Sequence, residues 1–346
     1  MSRELAYWSA LSEGMVQSMD RDKSIFITGI AVDYSSGLFG TTTEALKRFG
    51  PDRVFDSPAM ENALTGIAIG AASLGKRPVI VHPRNDFLLL AFDQLINLAA
   101  KWKYMFGGNA GSVPIVVRAV IGKGWGQGAT HSQSFHSVLG HFPGLNVTAP
   151  SSPAEAKAVT ISALTADVPT VILEHRALYN ETGEVAEEFE ASKIGAAKVV
   201  RQGTDVTIVA CSLMVKEALI AAEELEKEGV SAEVVDPCWI RPLDTETISK
   251  SIKKTGRLVV SDISWELYGF TAEIAALAAE KCLKYLKAPV KRVALADCPA
   301  PVSNSLETAF YPKASTLVQA TLSTMGMSDS KDYGHIDPED TFKGPY

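Results

Sequence analysis

The sequence predicts an α/β protein of two domains, a larger N-terminal parallel-sheet domain followed by a smaller α/β domain. Three observations predict it. The chain has 346 residues, long for one hydrophobic core and comfortable for two. Strand-like runs alternate with helix-like runs through the first half, and the same alternation restarts after a polar, acidic connector. The strand-like runs are near-continuously apolar, as expected when helices cover both faces of a parallel sheet.

Taken in order, "SIFITGIAV" reads as a strand, "TTTEALKRFG" as a capped helix, "PVIVHP" as a strand and "LAFDQLINLAAKWKYMFG" as one long helix. "VPIVVRAVIG", "LNVTAPSS" and "PTVILEHR" supply three further strands. The connector "NETGEVAEEFEASKIGAAKVVRQGTD" has few large apolar residues and ends in a turn signal at Gly203. Beyond it come the strand "VTIVAC", the helix "LMVKEALIAAEELEKEG" with Gly229 as its stop, the strand "SAEVVDPCWI", the helix "DTETISKSIKKTG" and the strand "RLVVSDIS". The expected division is a first domain over 1–185, a linker over 186–200, a second domain over 201–325 and a polar tail over 326–346. Rich in turn formers, the tail is expected to run over the surface or hold to a partner rather than build core.

Hydrophobic residues at 46% and charged residues at 21% are near globular averages and exclude a disordered or fibrous chain. The net charge of −7, with Lys and Arg scattered, gives no basic excess for nucleic acid. No apolar run is long enough to span a bilayer and the start lacks a signal-peptide core, so the expectation is a cytoplasmic protein with no membrane partner. Cys211, Cys238, Cys282 and Cys298 lie far apart without CxxC spacing and read as buried free thiols rather than zinc ligands or disulfides.

One carboxylate stands out. Glu61 opens a stretch with no other charge until Lys76, and the Ala- and Gly-rich helix that follows is apolar all round, so it is expected to be buried on every side, within the domain or at a subunit interface. On position alone Glu61 reads as a first-turn acid favoured by the helix dipole. The alternative is a buried acid held ready to exchange a proton with a bound cofactor. The Gly-rich "GKGWGQG" lacks the P-loop order and reads as a flexible active-site loop leading to His131. His131, His136 and His141 lack carboxylates at ligand spacing, so no metal is assigned to them, and His141 reads as a capping or packing residue.

The segments "RVFDSPAMENALTGIAIGAASLGKRPVIV", "DFLLLAFDQLINLAAKWKYMFGG", "VPIVVRAVIGKGWGQGATHSQS" and "HFPGLNVTAPSSPAEAK" resemble the β chain of thiamine-diphosphate-dependent 2-oxo acid dehydrogenases, the E1 component of the pyruvate, branched-chain 2-oxo acid and acetoin dehydrogenase type, in the transketolase-like superfamily. The resemblance continues through "VVDPCWIRPLDTETISKSIKKTGRLVV", "GFTAEIAALAAEKCLKYLKAPVKRV" and "PAPVSNSLETAFYP", from about Ile30 to Pro312 in matching order. It implies a pyrimidine-binding first domain, a transketolase C-terminal-type second domain and thiamine diphosphate as cofactor. Glu61 matches the acid that hydrogen-bonds ring nitrogen N1′ and shares a proton with it. Phe87 matches the aromatic ring that stacks on the pyrimidine, and Ala59 an aliphatic contact to the same ring. His131, in the family's "HSQ" motif, would face the thiazolium and the substrate, with Gln133 and Arg84 as further substrate contacts.

The chain has no GDG motif to anchor the diphosphate through Mg²⁺. The resemblance therefore implies half a site, with Mg²⁺ held mainly by an α subunit in an α2β2 assembly. The implied function is decarboxylation of a small 2-oxo acid with acyl transfer to a lipoyl-bearing E2. Departures keep two other readings open. "VHPRNDF" places His82, Pro83 and Arg84 where the family usually has an acidic residue and a Met-containing segment, which favours a transketolase-like or acyloin-forming enzyme not coupled to lipoyl; Arg84 reads either as a surface residue or as a cation beside an acidic or phosphorylated substrate. "VVSDISWELYGF" also replaces the family's usual segment. A non-catalytic scaffold of the same fold is the third reading, against which Glu61, Phe87 and His131 stand together. Ala166 lies where some relatives carry an Asp near a structural K⁺, so no potassium is expected.

Overall fold

Five of the apolar runs, joined by a short strand at Val54–Asp56 that the sequence pattern does not mark, become strands that all point the same way. In the computed structural model, which describes residues 2–34, 38–122, 126–327 and 330–338, they are β2 (Ile25–Gly29), β3 (Val54–Asp56), β4 (Arg77–His82), β5 (Val116–Ile121), β6 (Asn146–Thr148) and β7 (Thr170–His175). Before them stands β1 (Ser2–Ala6), and after them β8 (Thr182–Ala186), which pairs with β1 antiparallel. The six run parallel in the order β6–β7–β5–β4–β2–β3. β5 and β7 are buried at every position, which explains their largely apolar and β-branched sequence, interrupted by Arg118 on β5 and by Glu174 and His175 on β7.

The helices of this unit are α1 (Tyr7–Arg21), α2 (Thr43–Phe49), α3 (Glu61–Ser73), α4 (Asn85–Leu88), α5 (Trp102–Met105), α6 (His136–Gly140) and α7 (Pro153–Thr165). The chain passes from β2 outward to β3, then returns past β2 to β4 and continues in the other direction. That reversal puts a topological switch point between β2 and β4, where open parallel sheets form a ligand crevice at the strands' C-terminal ends. Gly29 ends β2 there, and a Cβ on it would meet the Val81 carbonyl at 2.3 Å, so only glycine lets β2 and β4 approach this closely.

Under the sheet's C-terminal half lies a buried ion pair. Arg118 on β5 donates to both oxygens of Glu174 on β7, Nε to Oε1 at 2.5 Å and Nη2 to Oε2 at 2.8 Å, and both side chains are 1% exposed. The Tyr179 hydroxyl donates to Glu174 Oε2 at 2.9 Å. Burial alone would depress the Arg118 guanidinium, but the carboxylate beside it holds its pKa raised.

Two expectations need correction. The long helix expected over 90–107 is instead a 3-10 turn at Leu89–Ala91 that follows directly on α4, a π-helical stretch at Asp93–Ala99 and α5. Its widened turns include Ala100 N–H to Leu95 O, an i to i−5 bond that the apolar pattern does not distinguish from an α-helix. α2 lacks the expected side-chain N-cap, because the Thr42 hydroxyl donates to the Val32 carbonyl instead. α3, expected to be buried within the domain or at a subunit interface, buries Leu64, Thr65, Ala68, Ile69 and Ala72 in this unit and leaves Ile67 64% exposed. Two faces of equal apolarity carry no sign of which one the sheet covers.

The second unit includes residues 126–130 and begins again at Gly195. Its strands are β9 (Lys198–Arg201), β10 (Val206–Ala210), β11 (Ala232–Asp236), β12 (Trp239–Arg241), β13 (Leu258–Trp265) and β14 (Lys291–Leu295), and its sheet has the order β14–β13–β10–β11–β9 with β9 antiparallel. The helices are α8 (Leu213–Lys227), α9 (Thr245–Thr255), α10 (Phe270–Cys282), α11 (Asn304–Phe310) and α12 (Ala314–Met325). α9 has the ends its sequence predicts, with the Asp244 carboxylate accepting from Thr247 N–H at 3.0 Å and Gly256 left-handed at the C-cap. "SAEVVDPCWI" is two strands rather than one. Pro237 has no N–H to donate, and Cys238 adopts φ 53° with its own N–H turned to Asp236 Oδ1.

Cys211, Cys238 and Cys282 are buried free thiols as expected, but Cys298 is exposed on the loop after β14. Much of the tail lies outside the described residues. In its described part Tyr333 is 2% exposed and Asp337 accepts from Ser315, so it contributes to packing beyond a surface run. Among the described residues no helix is long and apolar enough to cross a membrane.

The ion pair makes a stability prediction. Glu174→Gln leaves Arg118 buried without its anion and is expected to cost about 3–5 kcal/mol, whereas the double change Arg118→Met with Glu174→Leu recovers most of it. Urea unfolding of the three chains measures both, and a single variant as stable as the wild type would contradict the pair's role.

Candidate functional site

The loops that leave the C-terminal ends of β3, β4, β5 and β7 carry the residues singled out in the sequence. Glu61 is the first residue of α3, five residues past the end of β3, and it is 8% exposed. The neighbouring Asn62 donates from Nδ2 to the Leu90 carbonyl at 3.1 Å, which ties the start of α3 to the segment just beyond α4. Among the described residues none donates a hydrogen bond to the Glu61 carboxylate; the residue's backbone carbonyl accepts from Thr65 Oγ1. Ala59 is exposed on the β3–α3 loop.

Phe87 lies on α4 rather than in a strand, with its ring 40% exposed. The His131 ring meets it edge to face, with centroids 5.3 Å apart. The structure therefore brings Phe87 and His131, 44 positions apart in the sequence numbering, into direct contact. Gln133 donates to Asp86 Oδ1 from its backbone N–H at 3.2 Å and from Nε2 at 2.7 Å. Arg84 is partly buried rather than on the open surface, and its Nη1 donates to the Pro83 carbonyl at 2.7 Å. Burial pulls its guanidinium below the usual range, partly offset by the Asp86 carboxylate and the Tyr179 phenol.

The three histidines do not share a role. His131 is half-buried, His136 is fully buried on α6, and His141 is exposed at the C-cap of α6, the capping place expected for it. The first part of the Gly-rich loop, 123–125, lies outside the described residues. At its start, Gly122 has φ +85°, and a Cβ there would meet His175 Nε2 at 1.9 Å, so His175 at the end of β7 requires glycine where β5 ends.

Several residues of this edge were not found from sequence. Arg176, fully buried directly after β7, donates from Nη2 to the His131 carbonyl at 2.7 Å. Asp86, 6% exposed, holds Gln133. Buried polar atoms without a hydrogen-bond partner among the described residues concentrate here: Thr28 Oγ1, Ser57 Oγ, His82 Nε2, Asp86 Oδ2, Ser132 Oγ and both amide atoms of the fully buried Asn85. Such atoms are costly in a folded core unless a bound molecule or water satisfies them. The only sequence signal was the polar run "HPRND" immediately after an apolar strand.

Comparison with known proteins gives a consistent picture. Residues 3–182 match the pyrimidine binding domain of transketolase and residues 195–317 match its C-terminal domain. The chain is 39% identical over 335 residues to the β subunit of acetoin:2,6-dichlorophenolindophenol oxidoreductase from Cupriavidus necator, covering 94% of this chain and 98% of the relative. It is 39% identical over 311 residues to the β subunit of the pyruvate dehydrogenase E1 component from Rickettsia felis, covering 90% and 95%. Among solved structures, an inactive β4 tetramer of a split-gene transketolase superposes with a TM-score of 0.75 at 24% identity, over 93% of this chain and 99% of that one, a likeness of fold.

His82 makes this edge pH-sensitive. It is buried, and burial lowers its pKa from 6.5 to about 4, so the folded state keeps the imidazole neutral while the unfolded chain protonates it. Stability contributed by the neutral ring is intact above pH 6.5 and falls as pH drops toward 4, by about 3 kcal/mol over that window. Denaturant midpoints measured across the window are expected to fall more steeply for the wild type than for His82→Gln; parallel curves would contradict the assignment.

Proposed function

The chain belongs to the transketolase-like family of 2-oxo acid dehydrogenase E1 β subunits, and from this we propose that it is the β half of a cytoplasmic enzyme that decarboxylates a 2-oxo acid and passes the acyl unit to a lipoyl group of E2. The observation that carries the reading is the contact of Phe87, after β4, with His131, after β5, at the sheet edge where Glu61 also lies.

The residues present fit the aminopyrimidine half of thiamine diphosphate. Glu61 offers a shielded carboxylate that no described residue occupies. Phe87 offers a partly open aromatic ring, Ala59 an exposed methyl in the loop before Glu61, and Asn85 and Ser57 offer unsatisfied polar atoms. When bound, thiamine diphosphate supplies the electron sink that lets a 2-oxo acid lose CO2. Glu61, the first residue of α3, would hold a proton at ring nitrogen N1′. Phe87 excludes water from one face of the ring and orients it. His131, whose ring is fixed against Phe87, gives or takes a proton at the substrate.

Mg²⁺ and the diphosphate fall mainly to an α subunit in an α2β2 assembly, because this chain has no GDG sequence to hold them, and activity requires both chains. The exposed apolar stripe of α3, with Ile67 and Leu74, is a surface suited to a closely packed partner. A second reading keeps the cofactor without lipoyl transfer. It is favoured by Arg84, a partly buried cation two residues from the last residue of β4 and suited to an anionic or sugar-like substrate.

Dye reduction by the αβ pair over a panel of 2-oxo acids and acetoin tests the proposal. Glu61→Gln is expected to lower turnover roughly 100-fold or more with assembly unchanged. His131→Ala is expected to slow single-turnover chemistry while cofactor binding persists. Near-wild-type turnover in the Glu61 variant would remove the assigned role.

A further inference from the structure

The Gln133 carboxamide can act on a substrate only through the end that the protein leaves open. Its Nε2 donates to Asp86 Oδ1 at 2.7 Å, and its backbone N–H donates to the same oxygen at 3.2 Å. A carboxylate accepts and does not donate, so the NH2 end of the amide is turned to Asp86 and the carbonyl Oε1 away from it. Among the described residues none donates to Oε1, and Gln133 is half-buried, so this acceptor is available beside His131.

The turn that carries both residues is gripped at two points. Arg176, at the end of β7, donates to the His131 carbonyl at 2.7 Å, and Asp86, at the start of α4 beyond β4, holds Gln133. Both anchors are buried, Arg176 directly after β7 and Asp86 in the first turn of α4, four residues past β4. Between them the His131 and Phe87 rings meet at 5.3 Å. A turn held by charged groups at both ends keeps a catalytic ring in place more closely than a loop packed only by apolar contacts.

We infer that Asp86 is a positioning residue that, with Arg176, fixes His131 against Phe87 and obliges Gln133 to present a hydrogen-bond acceptor, which selects a substrate carrying a hydroxyl donor next to its reacting carbonyl. The inference rests on the crevice being the active site. It excludes Gln133 as a donor to a substrate carboxylate, because the donor end is committed to Asp86.

The test uses the αβ pair with Asp86→Ala and Asp86→Asn, hydroxypyruvate and pyruvate as substrates, and hydrogen exchange across 131–135. The wild type is expected to prefer hydroxypyruvate in kcat/KM by about tenfold or more, and Asp86→Ala to bring that preference close to unity, since the amide is then free to turn over. Exchange in the turn is expected to rise about tenfold in Asp86→Ala. Asp86→Asn keeps an acceptor of the same shape and is expected to restore protection and part of the preference. A wild-type enzyme that favours pyruvate, or an Asp86→Ala variant unchanged in either exchange or preference, would overturn the inference. Exchange needs no turnover, so it judges the clamp even if Glu61→Gln shows that the crevice is not the active site.

Discussion

In a parallel sheet every strand ends at the same edge, and that constraint organises this protein. Loops leaving β3, β4, β5 and β7 have nowhere to go but one rim, so Glu61, Phe87, His131 and Arg176 gather there although they come from four separate connections. The reversal of strand order between β2 and β4 opens the rim into a crevice. Fine geometry then depends on close approaches, such as Gly29 against Val81 and Gly122 against His175, that larger residues would forbid.

The rim is supported from below by charge. Arg118 and Glu174 join β5 to β7, the two strands from which the His131 loop and Arg176 depart. Fixing these strands fixes the points from which the turn at 131–133 is held. The stability of the pair is therefore coupled to the position of an imidazole in a neighbouring loop. His82, kept neutral by burial at the end of β4, belongs to the same edge, where polar groups are retained at a cost in stability that an apolar core would avoid.

The fold was largely legible in the sequence because its signals are local. Largely apolar runs marked β5 and β7, and Asp244 with Gly256 stand at the two ends of α9. Where the signal was ambiguous the reading failed. π-helical turns share the side-chain pattern of an α-helix, so one long helix was expected where the chain forms several short pieces. Glu61, Phe87 and His131 were found through the family resemblance; their residue types alone favoured blander readings. Asp86 and Arg176 escaped because their roles exist only across chain separations of 47 and 45 residues, which no local pattern encodes.

The central claim is that this chain carries half of a cofactor site: an acid, an aromatic ring and a histidine for the pyrimidine and the substrate, with no GDG sequence for the diphosphate. Calorimetric titration of thiamine diphosphate with Mg²⁺ into the chain alone, and then into the chain assembled with its α subunit, tests this most directly. Saturable binding by the assembled pair and none by the chain alone is the predicted result. Equal binding by the isolated chain, or none by the pair, would contradict it.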